Sequence, residues 1–263
     1  MVDVAQIRPS TTAAGALPNA VAIASGKGGV GKTWLSVTLC HALARAGCKA
    51  LLFDGDLGLA NVDIQLGLTP HHDLAAVIAG RCKLDEAIIN YGEGGFDVLA
   101  GRSGSGSLAN LSPERLTALS KALAAMAPAY DRIVLDLGAG VERTVRQLAA
   151  QARSCLVVTT DEPTAMTDAY AFIKLLLMQQ PDAEVRIVVN MAGSESEGER
   201  TYATLRKACA SFLKTAPVLA GIVRRDRKVK EAIRHQAPLL MRYPNCTAAE
   251  DVEALTRRLL ATP

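Results

Sequence analysis

Gly26-Lys27-Gly28-Gly29-Val30-Gly31-Lys32-Thr33 follows directly on the apolar run Ala20–Ala24 and leads into a helical pattern. It satisfies G-x-x-x-x-G-K-[ST], the phosphate-binding loop. Each part has a physical reason. Glycines let backbone N–H groups close around a phosphate without obstruction by side chains. The loop ends at a helix N-terminus, where unpaired donors and the helix dipole favour an anion. Lys32 is placed to reach the β- and γ-phosphates, and the Thr33 hydroxyl to ligate Mg²⁺. Backbone from Gly28 through Trp34 forms the cradle. The loop alone therefore implies a nucleotide with Mg²⁺.

Outward from the loop, short apolar runs alternate with amphipathic segments. Candidate strands are Ala20–Ala24, Ala50–Phe53, Phe96–Ala100, Arg132–Leu137, Cys155–Thr160, Val185–Asn190 and Val218–Val223. Most lack period-two alternation, as strands covered on both faces do. Helical stripes run through Leu35, Leu39, Ala42, Leu43 and Ala46, stopped by Gly47. Others run through Met166, Ala169, Tyr170, Ile173 and Leu177, and through Tyr202, Leu205, Cys209, Phe212 and Leu213. Ser112-Pro113 is a helix cap with proline at the first helical position. The expectation is an α/β fold, a mostly parallel sheet of about seven or eight strands with helices on both faces. Residues 1–18 are expected to be a flexible extension and residues 19–263 one domain. The Gly/Ser-rich run Gly101–Ser107 is expected to be a loop.

Carboxylates are needed near a metal and an attacking water, and they stand where strands end. Asp54 and Asp56 follow Ala50–Phe53, and Asp136 follows Ile133-Val134-Leu135.

Lys27, directly after the first glycine of the loop, makes K-G-G-V-G-K-T a deviant form of the motif. On these residues the chain resembles the MinD/ParA class of P-loop ATPases. Asp54–Pro70, Asp73–Leu84, Leu111–Pro113, Asp161–Leu176 and Val188–Ala192 are similar to the FleN/FlhG flagellar-number regulators within it. The resemblance implies the P-loop NTPase fold, slow ATP hydrolysis regulated by a partner, and a homodimer formed on ATP. Lys27 would cross to the partner subunit's phosphates. Asp56 would activate the attacking water, and Asp54 and Asp136 would join Thr33 around Mg²⁺. Gly140 would offer its N–H to the γ-phosphate, and Asn190 would read the adenine edge. The catalytic set is thus Asp56, Lys27 and Lys32. Departures are Leu137 in Asp136–Gly140, where relatives carry a small or hydroxylated residue, and the missing proline in Ile222–Asp226. Asp3–Arg8 is a degenerate form of the N-terminal motif through which flagellar relatives activate an FlhF-type GTPase.

The 263 residues are 49% hydrophobic and 21% charged, too apolar for a disordered chain. No stretch has the roughly 18 apolar residues of a membrane span. Residues 1–18 lack the apolar segment of a signal peptide, so a cytoplasmic protein is expected. Six cysteines include no C-x-x-C pair, which argues against a zinc ribbon or redox dithiol and suits unpaired thiols. His71 and His72 are adjacent and have no accompanying metal-ligand cluster, so a loop is the better reading.

Between Arg224 and Arg242 seven basic residues face two acids, a larger excess than the whole-chain net charge of +3. The region 224–263 reads as amphipathic, with a basic helix over Arg227–Gln236 and a last helix whose Val252, Leu255 and Leu259 share a face. Such segments suit an anionic membrane surface. In the relatives this region targets the membrane, so ATP-dependent peripheral association is expected. Further partners implied are the GTPase, a flagellar transcription regulator or a switch-complex protein. The alternatives are a ParA-type partition ATPase binding nucleoid DNA and a MinD-type septum-site ATPase.

Overall fold

All seven expected strands are present in the computed structural model, which describes residues 17–56, 60–101 and 111–261. They are β1 (Leu17–Ser25), β2 (Ala50–Gly55), β4 (Phe96–Leu99), β5 (Arg132–Ala139), β6 (Ala152–Thr159), β7 (Glu184–Ala192) and β8 (Val218–Arg224). An eighth, β3 (Ile88–Tyr91), is antiparallel to β4 at the edge; every other pairing is parallel. The order is β3-β4-β2-β5-β1-β6-β7-β8. The strand that carries the phosphate-binding loop therefore lies between its neighbours β5 and β6, with hydrogen bonds on both sides.

Helices cover both faces. One layer holds α3 (Leu74–Ile78), α4 (Pro113–Met126), α5 (Arg143–Ala149), α6 (Pro163–Gln179) and α7 (Glu195–Leu213). The other holds α1 (Lys32–Arg45), α2 (Val62–Leu66), α8 (Arg227–Arg234), α9 (Leu239–Arg242) and α10 (Thr247–Leu260). Ala20, Ala22 and Ala24 of β1 face the first layer and Ile23 the second; all four are fully buried. This two-sided burial is why the central strands read as continuous apolar runs. Ser112 caps α4 by accepting from the Arg115 N–H, with Pro113 beside it as expected.

Three expectations are corrected here. Leu17 is 1% exposed and already part of β1, because its N–H bonds to the Gln151 carbonyl; the extension does not reach residue 18. Residues 1–16, and with them Asp3–Arg8, lie outside the described residues, as do 102–107 of the Gly/Ser run. Phe212 projects outward from α7 at 76% exposure, while Leu205 and Cys209 of the same stripe are buried. Finally, the apolar face of α10 is not open to a membrane. Val252 and Leu255 are 0% and 1% exposed, packed in the core beneath α1 and β8.

Candidate nucleotide site

The loop between β1 and α1 is shaped by backbone geometry. Gly31 precedes α1 at φ +89°, in the left-handed region, and puts no side chain over the helix end. A Cβ there would collide with Asn190 Nδ2, and one at Gly26 would collide with the backbone of Asp168 in α6. Gly28 and Gly29 are exposed at the mouth and Val30 is buried beneath it. The first turn of α1 has neither an acidic residue nor a side-chain cap, so its N–H groups face outward without competition. That is the arrangement a phosphate chain requires.

Lys32 opens α1 and is 8% exposed. Burial lowers its pKa, and the nearby charges of Asp136 and Asp56 act against that loss. Asp54 and Asp136 sit in register on the adjacent strands β2 and β5, each 1% exposed. Burial, reinforced by Asp136, pushes the Asp54 carboxyl up to about 8. Burial likewise pushes Asp136 up to about 6, opposed by hydrogen bonds from Thr33 and Ser36 and by Lys32. Ser36 Oγ lies 2.8 Å from Asp136 Oδ1. Two buried carboxylates facing one ammonium make a site deficient in positive charge. This donor set fits Mg²⁺, which uses one or two carboxylates and takes its other oxygens from phosphates and water. Among the described residues there is no cluster of three or more metal-ligating side chains, in keeping with that mode.

The two carboxylates differ in what they already hold. Asp54 Oδ1 accepts the Asp56 N–H, and its Oδ2 accepts those of Asn61 and Val62, each at 3.2 Å. It ties the strand end to the start of α2. Asp136 has hydroxyl donors, Thr33 and Ser36, as its hydrogen-bond partners among the described residues, and is the better placed toward a cation. Asp56 lies over Gly138 of β5, where a Cβ would stand 3.3 Å from its Oδ1.

Three other positions named from the sequence are engaged within the protein itself. The Gly140 N–H, expected to face the γ-phosphate, is donated to the Ser25 carbonyl at 3.0 Å, because β5 runs on alongside β1. Asn190 is 2% exposed and gives its amide to the Val30 carbonyl at 2.8 Å, bracing the loop. The Trp34 side chain is 6% exposed in the core, its indole N–H without a hydrogen-bond partner among the described residues. Only its backbone belongs to the loop.

Lys27 leaves the loop sideways. Its Nζ lies 2.7 Å from Glu162 Oε2 and 2.8 Å from Thr164 Oγ1, at the N-terminus of α6. The pair is solvent-exposed, with side chains 38% and 62% accessible. Glu162, Thr164 and Ser36 were not singled out from the sequence. Ser36 had a signal, one helical turn beyond Lys32 on the same face. Glu162 and Thr164 had none beyond their place in a strand-end segment.

With nucleotide and Mg²⁺ bound, the metal would supply charge neutralisation at the phosphate oxygens, held by Thr33 and Asp136. The chain's own contributions would be the N–H cradle, the Lys32 ammonium and the Asp56 carboxylate, a group able to orient a water and accept its proton.

The family described as the CobQ/CobB/MinD/ParA nucleotide binding domain matches residues 21–239. Antiactivator FleN of Pseudomonas aeruginosa is 39% identical over 92% of this chain and 86% of its own. The flagellum site-determining protein YlxH of Helicobacter pylori is 30% identical over 92% and 81%. Among solved structures, the septum site-determining protein MinD of Pyrococcus horikoshii, complexed with Mg-ADP, superposes with a TM-score of 0.79 at 23% identity, covering 93% of this chain and 98% of its own. With the loop, the strand-end carboxylates and the sheet order in place, the chain belongs to the MinD/ParA family of P-loop ATPases and is FleN/FlhG-like within it.

Proposed function

We propose that the protein is a Mg-ATP-dependent switch that dimerises on ATP, resets by hydrolysis, and controls the number or placement of flagella. The observation that carries the proposal is the position of Lys27. It stands at the mouth of the loop, paired with the exposed Glu162 and Thr164, and an exposed ion pair exchanges easily for a stronger anion. A partner subunit's phosphates are such an anion. Similarity to FleN and YlxH supports the flagellar output. A slow ATPase suffices, since the output is which surface is exposed and for how long. Action at the inner face of the membrane is part of the proposal. It would run through exposed basic residues such as Arg257 and Arg258, since the apolar face of α10 is buried.

Mass measurement by light scattering with ADP and with ATP tests the switch. Asp56→Ala is expected to be a dimer with ATP and a monomer with ADP, and Lys27→Ala a monomer with both. A monomer in ATP for the Asp56 variant, with ATP bound, would refute dimerisation. In the same samples, ATP-dependent binding to duplex DNA instead of to anionic vesicles would favour a partition ATPase.

A further inference from the structure

Lys27 is fixed at its backbone and caught at its tip. Ser25, 0% exposed, donates its hydroxyl to the Lys27 carbonyl at 2.7 Å, and its own carbonyl accepts the Gly140 N–H. Gly26 packs so closely on α6 that a Cβ there would collide with the Asp168 carbonyl. Loop and helix therefore keep a set separation, and the first turn of α6 stands beside the Lys27 side chain. There the ammonium donates to two groups, Glu162 Oε2 at 2.7 Å and Thr164 Oγ1 at 2.8 Å. Glu162 is the residue that precedes α6, a position where a short polar side chain turns back to bond the helix N–H groups. The Glu162 side chain makes no such bond; it is turned to the lysine instead.

The arrangement is built to open. Lys27 holds the Glu162 carboxyl below its usual range, and Arg225 acts in the same sense from farther off. When the lysine leaves, Glu162 stays solvated, with Arg225 and the positive end of the α6 dipole as its remaining company. No charge is left buried. Because Ser25 and Gly26 hold the backbone, rotation of the lysine side chain suffices for release. An exposed pair of this kind shifts an equilibrium by about two- to fivefold. It sets a threshold and forbids nothing.

We propose that Glu162 and Thr164 form an intramolecular catch that parks Lys27 in the monomer and so sets the protein concentration at which ATP brings two chains together. The partner's phosphates compete with the chain's own carboxylate for one ammonium. Both chains of a symmetric dimer must release their lysine, so the single-chain factor enters squared. The dimer dissociation constant is thereby raised about four- to twenty-five-fold. The catch also serves the reset. Once the γ-phosphate is gone, a local acceptor is waiting for the lysine, and the chains part without a further trigger. The inference rests on the dimerising-switch reading above.

Sedimentation velocity over a dilution series in saturating Mg-ATP tests it. The full chain carries Asp56→Ala so that nucleotide is not consumed, and bound nucleotide is counted in each sample. In that background Glu162→Gln is expected to lower the dimer dissociation constant about fourfold or more. Thr164→Val changes no charge and should lower it about twofold or more, while Thr164→Ser, which keeps the hydroxyl, should match the parent. In the ADP monomer, Glu162→Gln should also speed acylation of Lys27 by a small anhydride, read by peptide mass spectrometry. An unchanged or weaker dimer in Glu162→Gln overturns the catch alone. Tightening by Glu162→Gln with none by Thr164→Val would trace the effect to net charge and overturn it too, as would an unchanged Lys27 acylation rate. A parent that binds ATP yet stays monomeric at every concentration overturns the switch reading beneath.

Discussion

His41 sits on α1, two turns from the phosphate-binding loop, with 6% of its surface exposed. Its ring lies 6.4 Å from that of Phe96, and its Nδ1 is buried without a hydrogen-bond partner among the described residues. Burial, aided by the Arg45 charge one turn on, depresses its pKa from 6.5 to about 4. The unfolded chain thus binds this proton more tightly than the folded one. The stability tied to neutral His41 is complete above the unfolded value and is lost as pH falls toward about 4. At 1.36 kcal/mol per pKa unit, the loss between about pH 7.5 and about pH 5 is roughly 2 kcal/mol. His41→Leu has no such proton and removes an unsatisfied polar atom, so near pH 7.5 it should be neutral or slightly stabilising. Urea denaturation of both proteins at the two pH values is the assay. Asp54 and Asp136, whose raised values act in the opposite sense, are common to both proteins and cancel in the difference. The variant should gain about 2 kcal/mol on the wild type at the lower pH. Parallel pH dependences, within about 0.5 kcal/mol, would refute a neutral buried imidazole.

Two further predictions concern the nucleotide site. Gly31→Ala must carry a side chain at φ +89° and against Asn190, a backbone cost of about 1–2 kcal/mol before the clash. ADP binding by equilibrium dialysis should weaken at least about tenfold; retained affinity would show that the loop re-forms elsewhere. Ser36→Ala removes one of the two hydroxyl donors to buried Asp136, worth about 1–3 kcal/mol. The Mg²⁺ concentration needed for half-maximal nucleotide retention should shift and Ser36→Thr should restore it, while an unshifted value would leave Ser36 a merely structural contact.

Much of the fold was legible because its centre is built from strands buried on both faces, whose apolar runs have no alternative use. β3 was missed for the opposite reason. Ile88-Ile89-Asn90-Tyr91 is a short edge strand, largely half-exposed, with one polar member paired to Asp97 across the hairpin. The site divides similarly. Lys32, Thr33 and Asp136 were readable because their chemistry dictates spacing and strand-end position. The intramolecular partners of Gly140 and Asn190, the Ser25 and Val30 carbonyls, have no sequence signal. Sequence spacing does not say which neighbour takes a donor. The same holds for α10, whose amphipathic pattern suits a lipid surface and a protein core equally; only the presence of α1 and β8 beneath it decides. Glu162 meets Lys27 through tertiary placement of α6, 135 positions along the chain.

The order of the sheet also bears on how the protein is born. β1 is the first strand made, yet both of its neighbours, β5 and β6, come from beyond the middle of the chain. At about 5–20 residues per second, β1 and its glycine-rich loop wait roughly 5–25 s on the ribosome before the first neighbour emerges. During that interval an apolar strand has no sheet to join, and the site is incomplete, because Asp136 arrives with β5. The dependence of the nascent chain on a ribosome-associated chaperone should therefore be greatest between the synthesis of β2 and that of β6.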